Sequence, residues 1–172
     1  SDWPIEGAPP AGVEPAAPGQ TGDVRVTLRR ENTPALLLTP RILVLGIGCR
    51  RGMPAERIEA AFRVFMERNG FLEAAVGRVC SVVLKAEEPG LRAFCEARGL
   101  EFVTYPAERL NRAAGEFTPS DYVRQVTGTD NVCERSAVVG SEGGALWRPK
   151  EAGEGITLAL AARPFRPDWR YG

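Results

Sequence analysis

Between Arg41 and Gly52 the chain reads Arg-Ile-Leu-Val-Leu-Gly-Ile-Gly-Cys-Arg-Arg-Gly, an apolar run that breaks into glycines, one cysteine and two arginines. Gly46, Gly48 and Gly52 can take backbone angles closed to other residues, so the chain can turn sharply and bring amide N–H groups up to a ligand. Pro54 suits a first helical turn, and Ile58, Ala61, Phe62, Phe65 and Met66 follow at helical spacing. A helix N-terminus, with unpaired donors and partial positive charge, is therefore expected beside Arg50 and Arg51. A carboxylate or a phosphate is the ligand such a place would suit. A dinucleotide suits it less, because the third glycine comes one residue late for Gly-x-Gly-x-x-Gly. Glu73 stands near the expected acidic offset, but in a helical or loop context rather than at the end of a second strand.

Other groups capable of chemistry are few. The chain contains no histidine, which removes every Ser-His-Asp or Cys-His mechanism within it and leaves acid/base work to carboxylates, Lys, Tyr, Cys or water. Cys49, Cys80, Cys95 and Cys133 are scattered without a Cys-x-x-Cys pair, which argues against a zinc site and supports no disulfide framework. Cys49 has two readings, a thiol activated at a helix N-terminus beside two arginines, or a small packed residue, and the second is the commoner. Lys85 with Glu87 and Glu88 reads either as part of a site or as an exposed turn whose acids favour the next helix N-terminus.

These residues need elements to hold them. Strands are expected at Val24–Leu28, Ile42–Ile47, Val79–Leu84, Glu101–Thr104, Ala145–Arg148 and Ile156–Ala162, with Gly143-Gly144 breaking the approach to the closing pair. Helices are expected over 55–69, closed by Asn69-Gly70, and over 90–98, stopped by Gly99. Further helices are expected at Pro106–Ala113, at Ser120–Val126 behind the start signal Thr118-Pro119, and at Asn131–Val139. Alternation of this kind predicts a three-layer α/β/α sandwich with a mostly parallel central sheet and an antiparallel final pair. Ligands of such sheets bind off the carboxyl ends of the strands. The groups expected there are Cys49, Arg50 and Arg51, then Lys85, Glu87 and Glu88, then Asn131, Cys133 and Glu134, and finally Lys150. Trp147 is expected in the core or as pocket wall.

With 172 residues, 44% of them hydrophobic, the chain can bury one good core. Lysine plus arginine and aspartate plus glutamate both total 22, so no global field recruits nucleic acid or a membrane surface, and anion binding must be local. No apolar run approaches a membrane span and no signal-peptide pattern opens the chain, so a cytoplasmic location is the default. Residues 1–23, rich in Pro, Gly and Ala, read as a flexible linker, and 24–40 as an edge strand or the remnant of a preceding domain. Residues 41–163 form the expected domain and 164–172 a C-terminal tail. Opening on Ser1 rather than Met reads as a piece of a longer polypeptide.

The ordered set Gly46-Ile-Gly-Cys-Arg-Arg-Gly52, Ser81-x-x-x-Lys85-Ala-Glu-Glu-Pro-Gly-Leu91, Val132-Cys-Glu134, Lys150 and Gly155-Ile-Thr-Leu-Ala159 resembles the C-terminal domain of the cobalamin-biosynthesis CbiG/CobE family. The likeness covers roughly residues 40–163. Two departures stand out: Met53-Pro54 where the family usually has a small hydroxyl residue, and Val82-Val83-Leu84 in place of the usual Ile-Asp pair before the lysine.

The resemblance implies a cobalt-precorrin-5A hydrolase, which opens a δ-lactone on a cobalt corrinoid, with a two-carbon fragment leaving as acetaldehyde. Such a substrate carries many acetate and propionate carboxylates, which arginine forks and lysine point charges suit. On this basis Gly46, Gly48, Cys49, Arg50, Arg51, Lys85 and Lys150 are expected to bind substrate, and Glu134 or Glu88 to activate water. Glu134 has a second reading, as a cap or ion-pair partner within its own helix. In an alternative reading the domain only binds the corrinoid and the chemistry lies in an N-terminal portion of the same polypeptide. No resident cofactor is implied, because cobalt arrives with the substrate.

Overall fold

The period-two and period-3.6 segments assemble into one mixed sheet with helices on both faces, seen in a computed structural model that describes residues 1–17, 19–118 and 125–169. A small parallel pair, β1 (Val24–Val26) and β2 (Leu36–Leu38), precedes the main sheet. That sheet comprises β3 (Leu43–Cys49), β4 (Val76–Val82), β5 (Glu101–Tyr105), β6 (Ala145–Gly153) and β7 (Ile156–Ala162), in the order β5-β4-β3-β7-β6. β3, β4 and β5 run parallel, whereas β7 is antiparallel to both β3 and β6. Helices α1 (Ala55–Arg68), α2 (Pro89–Arg98), α3 (Ala107–Asn111) and α4 (Val132–Gly140) complete the three layers expected from the alternation.

Side chains alternate across β3 and so divide the core. Leu43, Leu45 and Ile47 face α1 and α2, meeting Ile58, Phe62 and Phe94 in the larger cluster. Val44 turns the other way, into a smaller cluster with Cys80, Leu110 and Val132. Gly46 shares the second face and explains why α4 lies so close to the sheet: a Cβ there would collide with the Cys133 carbonyl. At the far end of the same helix, a Cβ on Gly140 would strike the Cys80 sulfur. The two glycines let backbone pack where a side chain would hold the layers apart.

Several boundaries differ from expectation for local reasons. β4 begins at Val76, directly after a 3₁₀ turn, and ends at Val82; Val83–Lys85 then form a second 3₁₀ turn whose Val83 and Leu84 are exposed. β6 continues through Pro149 to Gly153, because an edge strand tolerates a residue without an N–H. Of the helix expected at Ser120–Val126, residues 120–124 lie outside the described residues. The leader is tied down at its start: the Asp2 carboxylate accepts from the Thr27 hydroxyl at 2.6 Å, and the Trp3 ring meets Phe165 edge-on at 5.1 Å. Among the described residues no helix is long and apolar enough to cross a membrane.

Candidate functional site

A cavity of about 1000 Å³ opens at the carboxyl ends of β3 and β4. One wall is the exit of β3, Gly48 to Arg51; another is the 3₁₀ turn with Leu84 and Lys85 and the α2 cap Glu88. Val126, Thr127 and Asp130 with the start of α4 (Asn131, Val132, Cys133) close a third side, and Lys150 with the tip of the β6–β7 hairpin, Ala152 to Thr157, the fourth. β3 lies between a parallel and an antiparallel neighbour, so its connections leave on one face while α4 covers the other, and a crevice is left at its end.

The chain turns out of β3 on Gly52, whose φ of +72° belongs to the left-handed region. That turn is locked by Glu88: one carboxylate oxygen accepts the Gly52 N–H at 2.6 Å and the other accepts from Lys85 Nζ at 3.1 Å. Burial pushes the Glu88 carboxyl up, but the Lys85 ammonium and the Gly52 N–H outweigh it and hold the group below the usual carboxylate range. Glu88 and Lys85 are therefore a charged clamp between two walls. Glu87, by contrast, is exposed and pairs with Arg92 at 2.8 Å.

Every carboxylate lining the cavity has a cationic neighbour. Glu88 has Lys85, Asp130 has Arg135 at 2.7 Å, and Glu154 has Arg57 at 3.5 Å. Arg50, Arg51 and Lys150 also line it, and among the described residues none of these three forms a salt bridge. Between the charges the wall is apolar, with Val82, Val132 and Ile156 inside and Leu84 and Val126 exposed at 64% and 62%. The cavity thus offers uncompensated positive charge around a hydrophobic interior, an arrangement suited to a large apolar body with an anionic rim.

The thiols are not poised as nucleophiles. Burial pushes the Cys49 thiol up to about 11, with Lys85 opposing and Glu88 adding to the rise, and burial pushes Cys133 up to about 12. Among the described residues no three Cys, Asp or Glu side chains gather as a metal site would need.

Residues 43–161 match the model of the family described as Cobalamin synthesis G C-terminus. The chain belongs to that family. It is 32% identical over 130 residues to the cobalt-precorrin-5A hydrolase of Priestia megaterium, covering 76% of this chain and 34% of that protein. With the cobalt-precorrin-5A hydrolase of Salmonella typhimurium it is 33% identical over 125 residues, covering 72% of this chain and 36% of the other. The chain therefore spans about a third of the length of these curated relatives. A crystal structure of CobE, a protein from the cobalamin (vitamin B12) biosynthetic pathway, superposes with a TM-score of 0.68 at 27% identity, covering 73% of this chain and 92% of CobE.

Within this family domain the expected site residues separate into two groups. Gly48, Cys49, Arg50, Arg51, Lys85, Glu88 and Lys150 all line the cavity. Gly46 does not; it lies beneath α4, where its lack of a side chain serves packing. Glu134 is also absent from the cavity wall, at 1% exposure, and its carboxylate accepts from the Thr118 N–H, the Thr118 hydroxyl and the Lys150 N–H. Trp147 is neither deep core nor cavity wall: it is 37% exposed, with its ring 6.1 Å from that of Phe71. The helix starts at the cavity are those of α4 and, through its cap Glu88, α2, rather than that of α1, whose residues are missing from the lining.

Thr127, Asp130 and Glu154 line the cavity although they were not among the expected site residues, and Thr157, from the Gly155–Ala159 motif, lines it without having been assigned a role. For Glu154 a signal existed. Gly153-Glu154-Gly155 sits between two β-type runs, and Glu154 and Gly155 have φ of 50° and 82°, as a two-residue hairpin turn requires. The Gly155 carbonyl then accepts the Arg50 N–H at 2.9 Å, which ties the hairpin tip to the exit of β3.

Proposed function

We propose that this domain grips a cobalt corrinoid as part of a cobalt-precorrin-5A hydrolase. Arg50, Arg51 and Lys150 take peripheral carboxylates, while Val82, Leu84, Val126, Val132 and Ile156 meet the macrocycle. The observation that carries this reading is the roughly 1000 Å³ cavity whose lining carboxylates all have cationic neighbours while three cations form no salt bridge among the described residues. Its volume lies at the upper end of small-molecule sites, as a tetrapyrrole-sized ligand needs. The relatives' name supplies cobalt-precorrin-5A as the substrate; opening of its δ-lactone with loss of acetaldehyde is the chemistry the family resemblance implies. The domain needs no resident cofactor, since cobalt arrives within the substrate, and the reading includes a cytoplasmic location with neither nucleic acid nor membrane as partner.

Activation of water falls to the remainder of the longer polypeptide. What favours this over catalysis by the domain itself is the condition of the two expected bases. Glu88 is tied to Gly52 and Lys85 with a lowered pKa, which makes it a weak base. Glu134 is buried under three donors. Incubating the 172-residue chain with the cobalt-bound lactone and assaying acetaldehyde separates the alternatives. Tight binding without release is expected, and release at an enzymatic rate would transfer the chemistry to this domain. Arg50→Ala combined with Arg51→Ala is expected to weaken corrinoid binding by at least tenfold, on the scale of two charge-assisted contacts of about 1 kcal/mol or more each. Unchanged affinity would reduce both arginines to surface charge.

A further inference from the structure

Glu134 occupies a position that its helix alone does not explain. α4 opens on Asn131-Val-Cys-Glu134, a spacing in which a Glu side chain commonly turns back to the cap residue's own N–H. Half of that arrangement is present, since Asn131 Oδ1 accepts the Glu134 N–H at 3.0 Å. The Glu134 carboxylate instead turns outward, taking the Thr118 N–H at 2.9 Å, the Thr118 hydroxyl at 3.0 Å and the Lys150 N–H at 2.6 Å. Asn131 Nδ2 adds a fourth tie by donating to the Thr118 carbonyl at 2.8 Å.

The strand that receives this contact is irregular at the same place. β6 shifts register against β7 between Leu146 and Arg148, and again between Arg148 and Glu151. Pro149, within the second shift, has no N–H to donate. Bulged edges re-aim side chains. Here the Lys150 N–H leaves the ladder for a carboxylate on α4, while the residue itself lines the cavity without a salt bridge among the described residues.

We infer that Glu134 is a positioning residue: it holds the bulge of β6 so that Lys150 presents its ammonium to a substrate carboxylate. This rests on the corrinoid reading for the ligand, though the hydrogen bond is independent of it. Glutamine at 134 cannot reproduce the arrangement. Its amide offers one acceptor oxygen, so its NH₂ must face either the Thr118 N–H or the Lys150 N–H, donor against donor.

The test uses the 172-residue chain and cobyrinic acid, a cobalt corrinoid whose side chains end in carboxylates, with affinity read by calorimetry. Lys150→Ala and Glu134→Gln should each weaken binding roughly tenfold, the scale of one charge-assisted contact. In the Lys150→Ala background Glu134→Gln should cost less than about twofold more, because both changes remove the same contact. Additive losses, wild-type affinity in Glu134→Gln, or no effect of Lys150→Ala would each overturn the inference. If Glu134→Gln does not fold, Glu134→Asp takes its place in the same cycle. Should the wild-type chain fail to bind cobyrinic acid, the corrinoid reading falls by itself. The inference is then decided by the Lys150 amide resonance, which must shift and lose exchange protection in the Glu134 variant; an unchanged amide would overturn it.

Discussion

Removing the Glu88 carboxylate tests whether the cavity is held open by an internal clamp. The Glu88 side chain is 6% exposed and its partner Lys85 15%, so the ion pair sits largely out of water. Glu88→Ala leaves Lys85 without its carboxylate and the Gly52 N–H without its acceptor. Breaking a fully buried pair from one side costs about 3–5 kcal/mol; Lys85 can regain part of its hydration, so about 2–4 kcal/mol is expected here. For a chain of this length that corresponds to a fall in Tm of roughly 4–16 °C.

The pH dependence follows from the direction of the shift. Glu88 has a lowered native pKa, so the native state binds fewer protons than the unfolded chain in the acidic range. Its stabilisation is complete above the ordinary carboxylate value of about 4.3 and is lost as pH falls through the native value. The Tm gap between wild type and Glu88→Ala, followed by circular dichroism, should therefore be full at neutral pH and shrink in acid. A gap of less than about 1 °C at neutral pH, or one that persists unchanged well below the carboxylate range, would refute the clamp.

Three further outcomes are expected. Gly46→Ala should destabilise by more than the about 1–3 kcal/mol usual for overpacking, since its Cβ meets the Cys133 backbone carbonyl rather than a movable side chain; an unfolding midpoint at the wild-type value would contradict that. Cys49 should react with iodoacetamide very slowly near neutral pH and speed up only as pH approaches 11, measured by mass spectrometry at that residue; rapid alkylation at neutral pH would mean an activated thiol. Phe62→Ala should cost about 3–5 kcal/mol in urea unfolding, because the ring is fully buried against Phe94 at 5.5 Å; a loss below about 1 kcal/mol would show that the core collapses into the space.

Much of the layered architecture was legible because hydrophobic periodicity is a local property. The short apolar runs expected as strands at 42–47 and 156–162 are buried strands at Leu43–Cys49 and Ile156–Ala162, and the spacing Ile58, Phe62, Phe65, Met66 is the buried face of a helix. The cluster Gly48 to Arg51 with Lys85 and Glu88 was legible for a related reason: residues that follow parallel strands arrive at one end of the sheet whatever the loops do. Composition also had consequences without any fold, since a chain lacking histidine has no imidazole base. Sequence could not decide between a group near a site and a group facing it. Glu134 and Gly46 carry the same local signals as Glu88 and Gly48. Only the tertiary packing of α4 turns Glu134 to Thr118 and Lys150 and places Gly46 under the Cys133 carbonyl. The partners that settle those roles are 16 residues from Glu134 on either side, and in Gly46 they come from another layer of the fold. Side-chain direction depends on such distant contacts, which no pattern along the chain encodes.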